Sequence, residues 1–385
     1  MKKFALYGLA LVLVLTAFAA CTKVGPPVAG SAKADDMLTM LPKDTMGVII
    51  IDVNRAMNTE VVSKALKEGE NAQKYQESIK KLGIDPQKDV YFVAIGLNGS
   101  ISGGTTSGVG VLNLKYSKDV LLAKMKEEGA KFTEGAYEGV ATVSVAEGEK
   151  EEPENQKAEE AEKKDAGEKK EGGEQAEAAE KPAAPAAPEK VMMGAFLDAS
   201  NIAVGPEKEV KAVIDILKKK AENATANAEL MAQIKGVNKN AMAWGVFAFK
   251  PEDVKKMVES TPMLSSLASL KALILAFDYS NKILDIEIKA VTSDAGKNKE
   301  IADMLNGFKA MGSMAAGDKP EVGELMGKIE ITSAADNVRI HAVLPEELLN
   351  KLGKMAKTEI MNKMGGVKVE EPAKGEEKKA EEIKK

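Results

Sequence analysis

A stretch of 45 residues near the middle of the chain contains no aromatic residue and no Leu, Ile, Val or Met. It runs from Ala146 to Lys190 and holds fifteen acidic and eight basic residues, a net charge of −7. Because such a segment cannot bury enough apolar surface to offset the entropy lost on ordering, we expect it to be disordered. A globular fold must therefore be built from the residues on either side. The mixed-charge tail 366–385 has the same character and the same expectation.

The first twenty residues have the parts of a secretory signal peptide. Lys2 and Lys3 precede an uncharged run of 17 residues, Phe4 to Ala20, which is mostly Leu, Val and Ala. The run is at the short limit for a transmembrane helix, and no cluster of Lys or Arg follows it as a stop-transfer signal. We therefore interpret residues 1–20 as a cleaved signal peptide and not as a membrane span.

Two small residues lead directly into Cys21, the only cysteine of the chain. The sequence Phe18-Ala19-Ala20-Cys21 resembles the lipobox of bacterial lipoproteins, although position 18 more often holds Leu, Val or Ile. The resemblance implies a diacylglycerol on the Cys21 sulfur, cleavage before Cys21 and acylation of the new amino terminus. Two or three acyl chains anchor a protein firmly, whereas one chain binds only marginally. Because Thr22 stands where Asp would favour inner-membrane retention, the similarity to enterobacterial lipoproteins implies an outer-membrane protein facing the periplasm.

The mature chain, counted from Cys21, has 365 residues, which is long enough for two domains with their own cores. Lipidation of Cys21 leaves no free thiol, so no disulfide can form and the fold must be stabilised by burial. The net charge of the whole chain is −5, and it becomes −7 without Lys2 and Lys3. The acidic segment alone accounts for that charge. An acidic chain of this kind is not expected to bind nucleic acid, because phosphate binding needs a basic face.

The predicted elements before and after the acidic segment follow the same order. Each half reads as a strand, a helix, two strands, a helix, two strands and a helix, and the halves begin with the strands 46–53 and 241–249. We predict an α+β fold with two similar modules of antiparallel sheet and helices packed on one face. The predicted boundaries are the signal peptide 1–20, a tether 21–37, a first module 38–222 with the insert 146–190, a second module 223–365 and the tail 366–385.

The insert interrupts the first module between the predicted strands 140–145 and 191–198. Loop-closure entropy grows only slowly with loop length, so a long connection between neighbouring strands is tolerated. We therefore expect the two ends of the insert to lie close together in space.

Two short motifs resemble those of uncharacterised bacterial envelope proteins. One is Leu41-Pro42-Lys43-Asp44, and the other is Tyr137-Glu138-Gly139 before a strand. The resemblance implies the fold and an envelope location, and it implies no activity.

Few residues have the chemistry of a catalytic or metal site. His341, the only histidine, alternates with apolar residues in a predicted strand, and we expect it to be exposed on the polar face. Without a second histidine or a free cysteine, a zinc site or a Cys–His pair is excluded.

The Gly-rich stretch 98–110 lacks the Gly-Lys-Ser/Thr motif of a phosphate-binding loop, and it indicates a hairpin loop. Asp278 and Asp285 flank a predicted hairpin, and paired carboxylates serve hydrolases, but a chain with 59 acidic residues contains such pairs by chance.

Nineteen methionines raise the question of a copper site, because thioethers suit Cu(I). Methionine also fills cores flexibly, and neither histidine nor cysteine accompanies any of the pairs with Met-x-x-Met spacing. We therefore expect no metal and no cofactor. The pairs are Met37/Met40, Met311/Met314 and Met361/Met364.

These observations favour a non-enzymatic lipoprotein of the cell envelope, held at the membrane by lipid on Cys21, that binds a protein partner or serves as a structural element. A first alternative is a carrier of an apolar ligand such as a lipid, enclosed between sheet and helices. A second alternative is a hydrolase with paired carboxylates, which would need clustered acidic groups in a cleft.

Replacement of Cys21 by Ser is expected to prevent lipidation and cleavage, because both depend on the sulfur atom in the lipobox. Mass spectrometry of the amino-terminal peptide should find a diacylglyceryl group on Cys21 in the wild-type protein and an intact Met1–Ala20 segment in the variant. An intact Met1–Ala20 segment on the wild-type mature protein would contradict the interpretation.

Overall fold

The computed structural model describes residues 30–67, 69–100, 105–146, 191–260, 262–317 and 319–363. The predicted signal peptide 1–20, Cys21, the insert from 147 to 190 and the tail 366–385 lie outside the described residues. Two 3₁₀ helices lie at Ala224–Ala226 and Pro262–Ser269. The described α-helices are α1 (Gly30–Leu38), α2 (Val53–Met57), α3 (Glu60–Ala65), α4 (Gly69–Leu82), α5 (Pro86–Asp89), α6 (Lys118–Glu127), α7 (Glu207–Leu217), α8 (Ala228–Ile234), α9 (Pro251–Ser260), α10 (Ala295–Ala315), α11 (Pro320–Lys328) and α12 (Glu346–Lys363).

The twelve described strands form one antiparallel sheet. Their order across the sheet is β11-β12-β10-β9-β8-β1-β2-β3-β7-β6-β5-β4. The predicted α+β class with antiparallel strands is therefore confirmed. The strands are β1 (Gly47–Asp52), β2 (Val90–Ser100), β3 (Thr105–Leu114), β4 (Thr133–Tyr137), β5 (Val140–Ala146), β6 (Val191–Phe196), β7 (Asn201–Pro206), β8 (Ala243–Ala248), β9 (Leu270–Ser280), β10 (Ile283–Thr292), β11 (Ile329–Ser333) and β12 (Asn337–Pro345).

The two halves of the chain meet where β1 pairs with β8. Gly47 lies opposite Phe247 and Ile51 opposite Ala243 in this antiparallel pair. Outward from it, the first half adds β2, β3, β7 and β6, and the second half adds β9, β10, β12 and β11. The halves therefore use their strands in the same spatial order and form one continuous sheet. The hairpin β4–β5 extends the first half, and β4 was not predicted because nearly all of its residues are exposed and show no apolar alternation.

The sheet has two faces, because successive side chains of a strand point in opposite directions. In β1 the first face carries Val48 and Ile50, and the second face carries Ile49 and Ile51. On the first face, apolar residues of the central strands form the main core with helices α1, α7 and α8. The largest fully buried side chain of this core is Trp244, which is 2% exposed.

Helices pack on both faces of the sheet, which corrects the prediction that they lie on one face. On the second face, Leu348 of α12 belongs to one buried cluster with Leu284 and Leu344. Ile301 of α10 belongs to another cluster with Val338 of β12. The physical reason is that the central strands carry apolar residues at both odd and even positions, so each of their faces has apolar surface to bury.

The predicted tether 21–37 ends within helix α1, which is a second correction. Ala34, Met37, Leu38 and Leu41 are at most 1% exposed and belong to the main core. Their spacing of i, i+3, i+4 and i+7 is that of one apolar helix face. Residues 30–37 therefore belong to the fold, and residues 21–29 lie outside the described residues.

The described ends of the acidic insert lie side by side. β5 pairs antiparallel with β6, and Ala146 is directly opposite Val191. Because the two residues are neighbours in the sheet, the chain between them leaves one strand and comes back to the adjacent strand whatever its length. The chain can therefore carry the acidic insert without a break in the order of strands.

Replacement of Ile50 by Ala is expected to lower the free energy of unfolding by about 3 kcal/mol, because a fully buried side chain leaves a cavity. Replacement of Ile49 by Ala, one residue away on the other face, should cost only about 1 kcal/mol because that side chain is partly exposed. Urea unfolding of the two variants measures both values. Equal losses would contradict the assignment of buried and open faces.

Candidate binding face

Seven apolar side chains form two cross-strand rows in the middle of the second face. In the first row, Ile288, Leu275, Ile49 and Ile95 are in register, with Gly245 between Leu275 and Ile49. The second row lies two residues further along the strands. We call the seven side chains the apolar strip; they are Ile49, Ile95, Leu97, Phe247, Leu273, Leu275 and Ile288.

All seven side chains of the apolar strip are partly exposed. The neighbours on the first face of the same strands are buried: Val48, Ile50, Ala94, Val246 and Ile274 are between 0% and 4% exposed. The centre of the sheet is therefore closed on the first face and open on the second. An apolar surface that remains accessible in the middle of a sheet often marks a place where another apolar group binds.

Two glycines lie between the side chains of the apolar strip and leave space for them. A Cβ atom on Gly47 would lie 2.8 Å from Cδ1 of Phe247, so the aromatic ring extends over Gly47. A Cβ atom on Gly245 would lie 3.1 Å from the carbonyl oxygen of Val48. Larger residues at these two positions would force the ring and the backbone apart. The glycines therefore allow Phe247 to lie along the sheet surface.

Buried clusters border the apolar strip on both sides. On the first half of the sheet, Val90, Leu114 and Ile202 form a cluster with Leu121 of α6. On the second half, the clusters under α10 and α12 cover β10 and β12. The apolar strip therefore lies in a trough between two groups of helices.

The apolar strip presents hydrocarbon and no polar side chain. The backbone of its strands is paired on both sides within the sheet, so main-chain donors and acceptors are already used. A molecule that binds here gains apolar burial and few hydrogen bonds. The apolar strip is therefore suited to binding an apolar ligand or an apolar surface of another molecule.

The first face becomes polar on β9, β10 and β12, and it brings together the acidic pair identified in the sequence. Asp278 lies directly opposite Asp285. Asp278 accepts hydrogen bonds from the Arg55 guanidinium at 2.5 Å and from the Met242 backbone N–H at 3.1 Å. Asp285 is 3.0 Å from Nε2 of His341 and is 51% exposed. Each carboxylate is thus held by a partner of its own on an open face.

His341 lies on the polar face as predicted, but it is less exposed than expected. Its side chain is 22% exposed and contacts Asp285. His341 lies on β12, and the neighbouring strands β10 and β11 on its two sides shield part of its side chain from solvent. A single strand read in isolation does not reveal such neighbours.

The methionine pairs fall in different environments. Met37 is 0% exposed in the main core, and Met40 packs against that core. Met311 and Met314 are 65% and 84% exposed on α10. The third pair, Met361 and Met364, lies outside the side chains that the structure describes. Among the described residues, no group of three or more His, Cys, Asp or Glu side chains is arranged to hold a metal ion.

The Gly-rich stretch contains more strand than predicted. Asn98, Gly99 and Ser100 of β2 pair with Ser107, Thr106 and Thr105 of β3. The strands therefore extend into the predicted loop, and residues 101–104 between them lie outside the described residues. Small polar residues gave no apolar alternation from which this extension could be predicted.

Sequence reasoning missed the apolar strip altogether. The runs 47–51 and 92–97 contain apolar residues at consecutive positions, which is typical of a strand buried on both faces. The sequence does not show how many helices remain to cover the second face. Cys21, the one site residue predicted from the sequence, lies outside the described residues. No helix in the described part of the chain is long and apolar enough to cross a membrane.

No family model matches the chain, and no curated protein matches it in sequence. Among solved structures, crystal form I of TP0453 is 8% identical and gives a TM-score of 0.40, with coverage of 82% of this chain and 96% of TP0453. Crystal form III of TP0453 is 9% identical with a TM-score of 0.41, and the coverage is 82% and 97%. Similarity this low supports no inference about function.

Glu287 provides a test of the polar face. Arg339 Nε donates to its Oε1 at 2.5 Å, and Lys289 Nζ lies 2.9 Å from Oε2. Burial alone would raise the pKa of Glu287, but the hydrogen bonds from Arg339 and Lys289 outweigh it and hold the pKa below its usual range. Because the folded-state pKa is lowered, the stabilisation exists above the pKa of the unfolded chain and is lost as the pH falls through the folded-state pKa.

Replacement of Glu287 by Gln is expected to lower the free energy of unfolding by about 1 kcal/mol at neutral pH. The difference from wild type should shrink below about pH 4, where the unfolded glutamate becomes protonated. Denaturant unfolding at several pH values measures this difference in unfolding free energy. The matched control is Glu330→Gln, which changes an exposed residue on the edge strand β11. An equal loss of unfolding free energy at neutral and acidic pH would show that the negative charge of Glu287 does not stabilise the fold.

Proposed function

We propose that this chain is a lipid-anchored, non-enzymatic protein of the bacterial cell envelope that binds an apolar ligand, such as the acyl chain of a lipid, on the apolar strip. The lipobox ending at Cys21 supports the anchor and a periplasm-facing position at the outer membrane. The single observation that supports ligand binding is the open, entirely apolar middle of the second face.

The size of the apolar strip favours an acyl chain over a folded protein partner. It extends over the five strands β10, β9, β8, β1 and β2, which is about 20 Å at the usual strand spacing. It is only two side-chain rows wide, whereas a stable protein interface buries about 800 Å² on each partner. A narrow trough without hydrogen-bonding groups suits a chain of methylene groups, and each buried methylene contributes about 0.8 kcal/mol.

The arrangement of carboxylates gives the hydrolase alternative little support. Asp278 is engaged by Arg55, and Asp285 by His341. Paired acidic catalysts need one carboxyl group to stay protonated in a sheltered site. A pair in which one carboxylate is exposed, the other is half-buried and each already has its own partner lacks that arrangement.

Replacement of Leu275 by Asn is expected to weaken binding of a fluorescent long-chain fatty acid at least about tenfold, which corresponds to about 1.4 kcal/mol. The polar amide would sit in the centre of the trough and lose its water when the ligand binds. Fluorescence titration of delipidated full-length protein measures the affinity, and mass spectrometry of an organic extract of protein purified from its own membranes identifies the natural ligand.

The matched control is Val343→Asn, which changes an apolar strand residue that is 37% exposed. Val343 lies on the first face, opposite Asp285, and its replacement should leave the affinity unchanged. Equal weakening in the two variants, or no saturable binding by the wild-type protein, would contradict the ligand site. Copurification of a stoichiometric protein lost only in the Leu275 variant would instead favour a protein partner on the same face.

A further inference from the structure

A buried polar cluster lies at the end of β2, on the first face of the sheet. Asn98 is 8% exposed and Glu209, in the first turn of α7, is 6% exposed. The side-chain Nδ2 of Asn98 donates to Oε2 of Glu209 at 3.0 Å and to Oδ1 of Asp44 at 3.3 Å. One amide group therefore joins two carboxylates that come from distant parts of the chain.

In the described part of the chain, no lysine or arginine pairs with either carboxylate, Asp44 or Glu209. Two lysines close to these carboxylates in sequence are used elsewhere: Lys43 pairs with Glu222, and Lys211 pairs with Glu207. The amino terminus of α7 offsets part of the charge on Glu209. A buried carboxylate beside a second one is still costly unless a positive charge joins them.

Two neighbouring side-chain oxygens are buried without a hydrogen-bond partner. One is Oδ1 of Asn98, in the same amide group that contacts both carboxylates, and the other is Oγ1 of Thr45, which is 0% exposed. Thr45 Oγ1 lies 3.1 Å from the position of a Cβ on Gly96, two residues before Asn98 on the same face of β2. Such oxygens usually find a partner, because leaving one unpaired costs about 1–3 kcal/mol.

We propose that Asp44, Glu209 and Asn98 bind one Ca²⁺ ion, with the Thr45 hydroxyl beside it. Carboxylate, amide and hydroxyl oxygens are the hard ligands that Ca²⁺ takes, and two carboxylates balance its charge. A half-turn of the Asn98 amide exchanges Oδ1 and Nδ2 and directs an oxygen between the two carboxylates. That orientation is unfavourable beside two anions alone and favourable when a cation lies among the three groups.

The cluster is accessible from solvent through Asp44. Asp44 is exposed and lines two surface grooves with volumes of 630 Å³ and 380 Å³. A hydrated ion can therefore reach the carboxylate first and then replace part of its water with Glu209 and Asn98. With two carboxylates and remaining water ligands, we expect a dissociation constant of about 0.1–1 mM, as in extracellular calcium modules. The calcium site does not depend on the ligand proposed for the apolar strip.

Calcium binding at this cluster would connect three segments of the fold. Asp44 lies in the turn before β1, Asn98 near the end of β2, and Glu209 at the start of α7. A ligand that binds only the folded chain stabilises it by mass action. Calcium should therefore raise the unfolding temperature of the whole protein.

The test compares EDTA-treated full-length protein with two variants, each titrated with CaCl₂ by calorimetry and by thermal unfolding. Asp44→Asn keeps the shape of an exposed side chain, and we expect it to weaken Ca²⁺ binding at this site at least about tenfold. Glu229→Gln changes an exposed carboxylate that lines the second of these grooves together with Asp44, and it should leave the affinity within about twofold. The acidic insert is unchanged in both variants, so any calcium that it binds contributes the same background to every titration.

The side-chain amide of Asn98 provides an independent readout. Its ¹⁵N–¹H resonances should shift on addition of Ca²⁺ in the wild type and in Glu229→Gln, and should stay in place in Asp44→Asn. Glu209→Gln should lose the calcium-dependent rise in unfolding temperature. Identical titrations of wild type and Asp44→Asn would overturn the proposal, as would saturable binding of Mg²⁺ without binding of Ca²⁺.

Discussion

The pairing of β1 with β8 is the interaction on which the rest of the structure depends. Without it, each half of the chain would end in an exposed strand edge with unpaired N–H and C=O groups, which promotes aggregation. Pairing removes both edges at once and brings Ile50 opposite Trp244 on the first face. The main core then extends across the junction, so the two halves are stabilised together.

The helices cover the two faces of this wide sheet unequally. Helices α1, α7 and α8 close the centre of the first face, whereas the helices of the second face cover mainly its two sides. The apolar strip is the part of the second face that stays accessible. The proposed calcium site lies on the first face at the end of β2, so the two proposed sites are on opposite faces and can be tested separately.

Much of the fold could be predicted because strands with consecutive apolar residues are distinctive. The strands near 46–53, 140–145 and 241–249 lie where they were predicted. Strand β4 was missed because it is exposed along its length, and most of helix α1 was assigned to the tether between the lipid and the fold. The apolar strip could not be predicted, because the exposure of a side chain depends on which helices fold back over it.

The sequence by itself predicted a lipobox at Cys21 and an acidic insert that joins no core, and it determined the repeated order of strands and helices, since each depends on residue type and local spacing alone. Only the tertiary structure decided that the two halves share one sheet, that its second face stays open, and that Asp44, Asn98 and Glu209 meet. These features join residues far apart in the chain, and long-range pairing follows from the packing of the whole molecule, which no local pattern encodes.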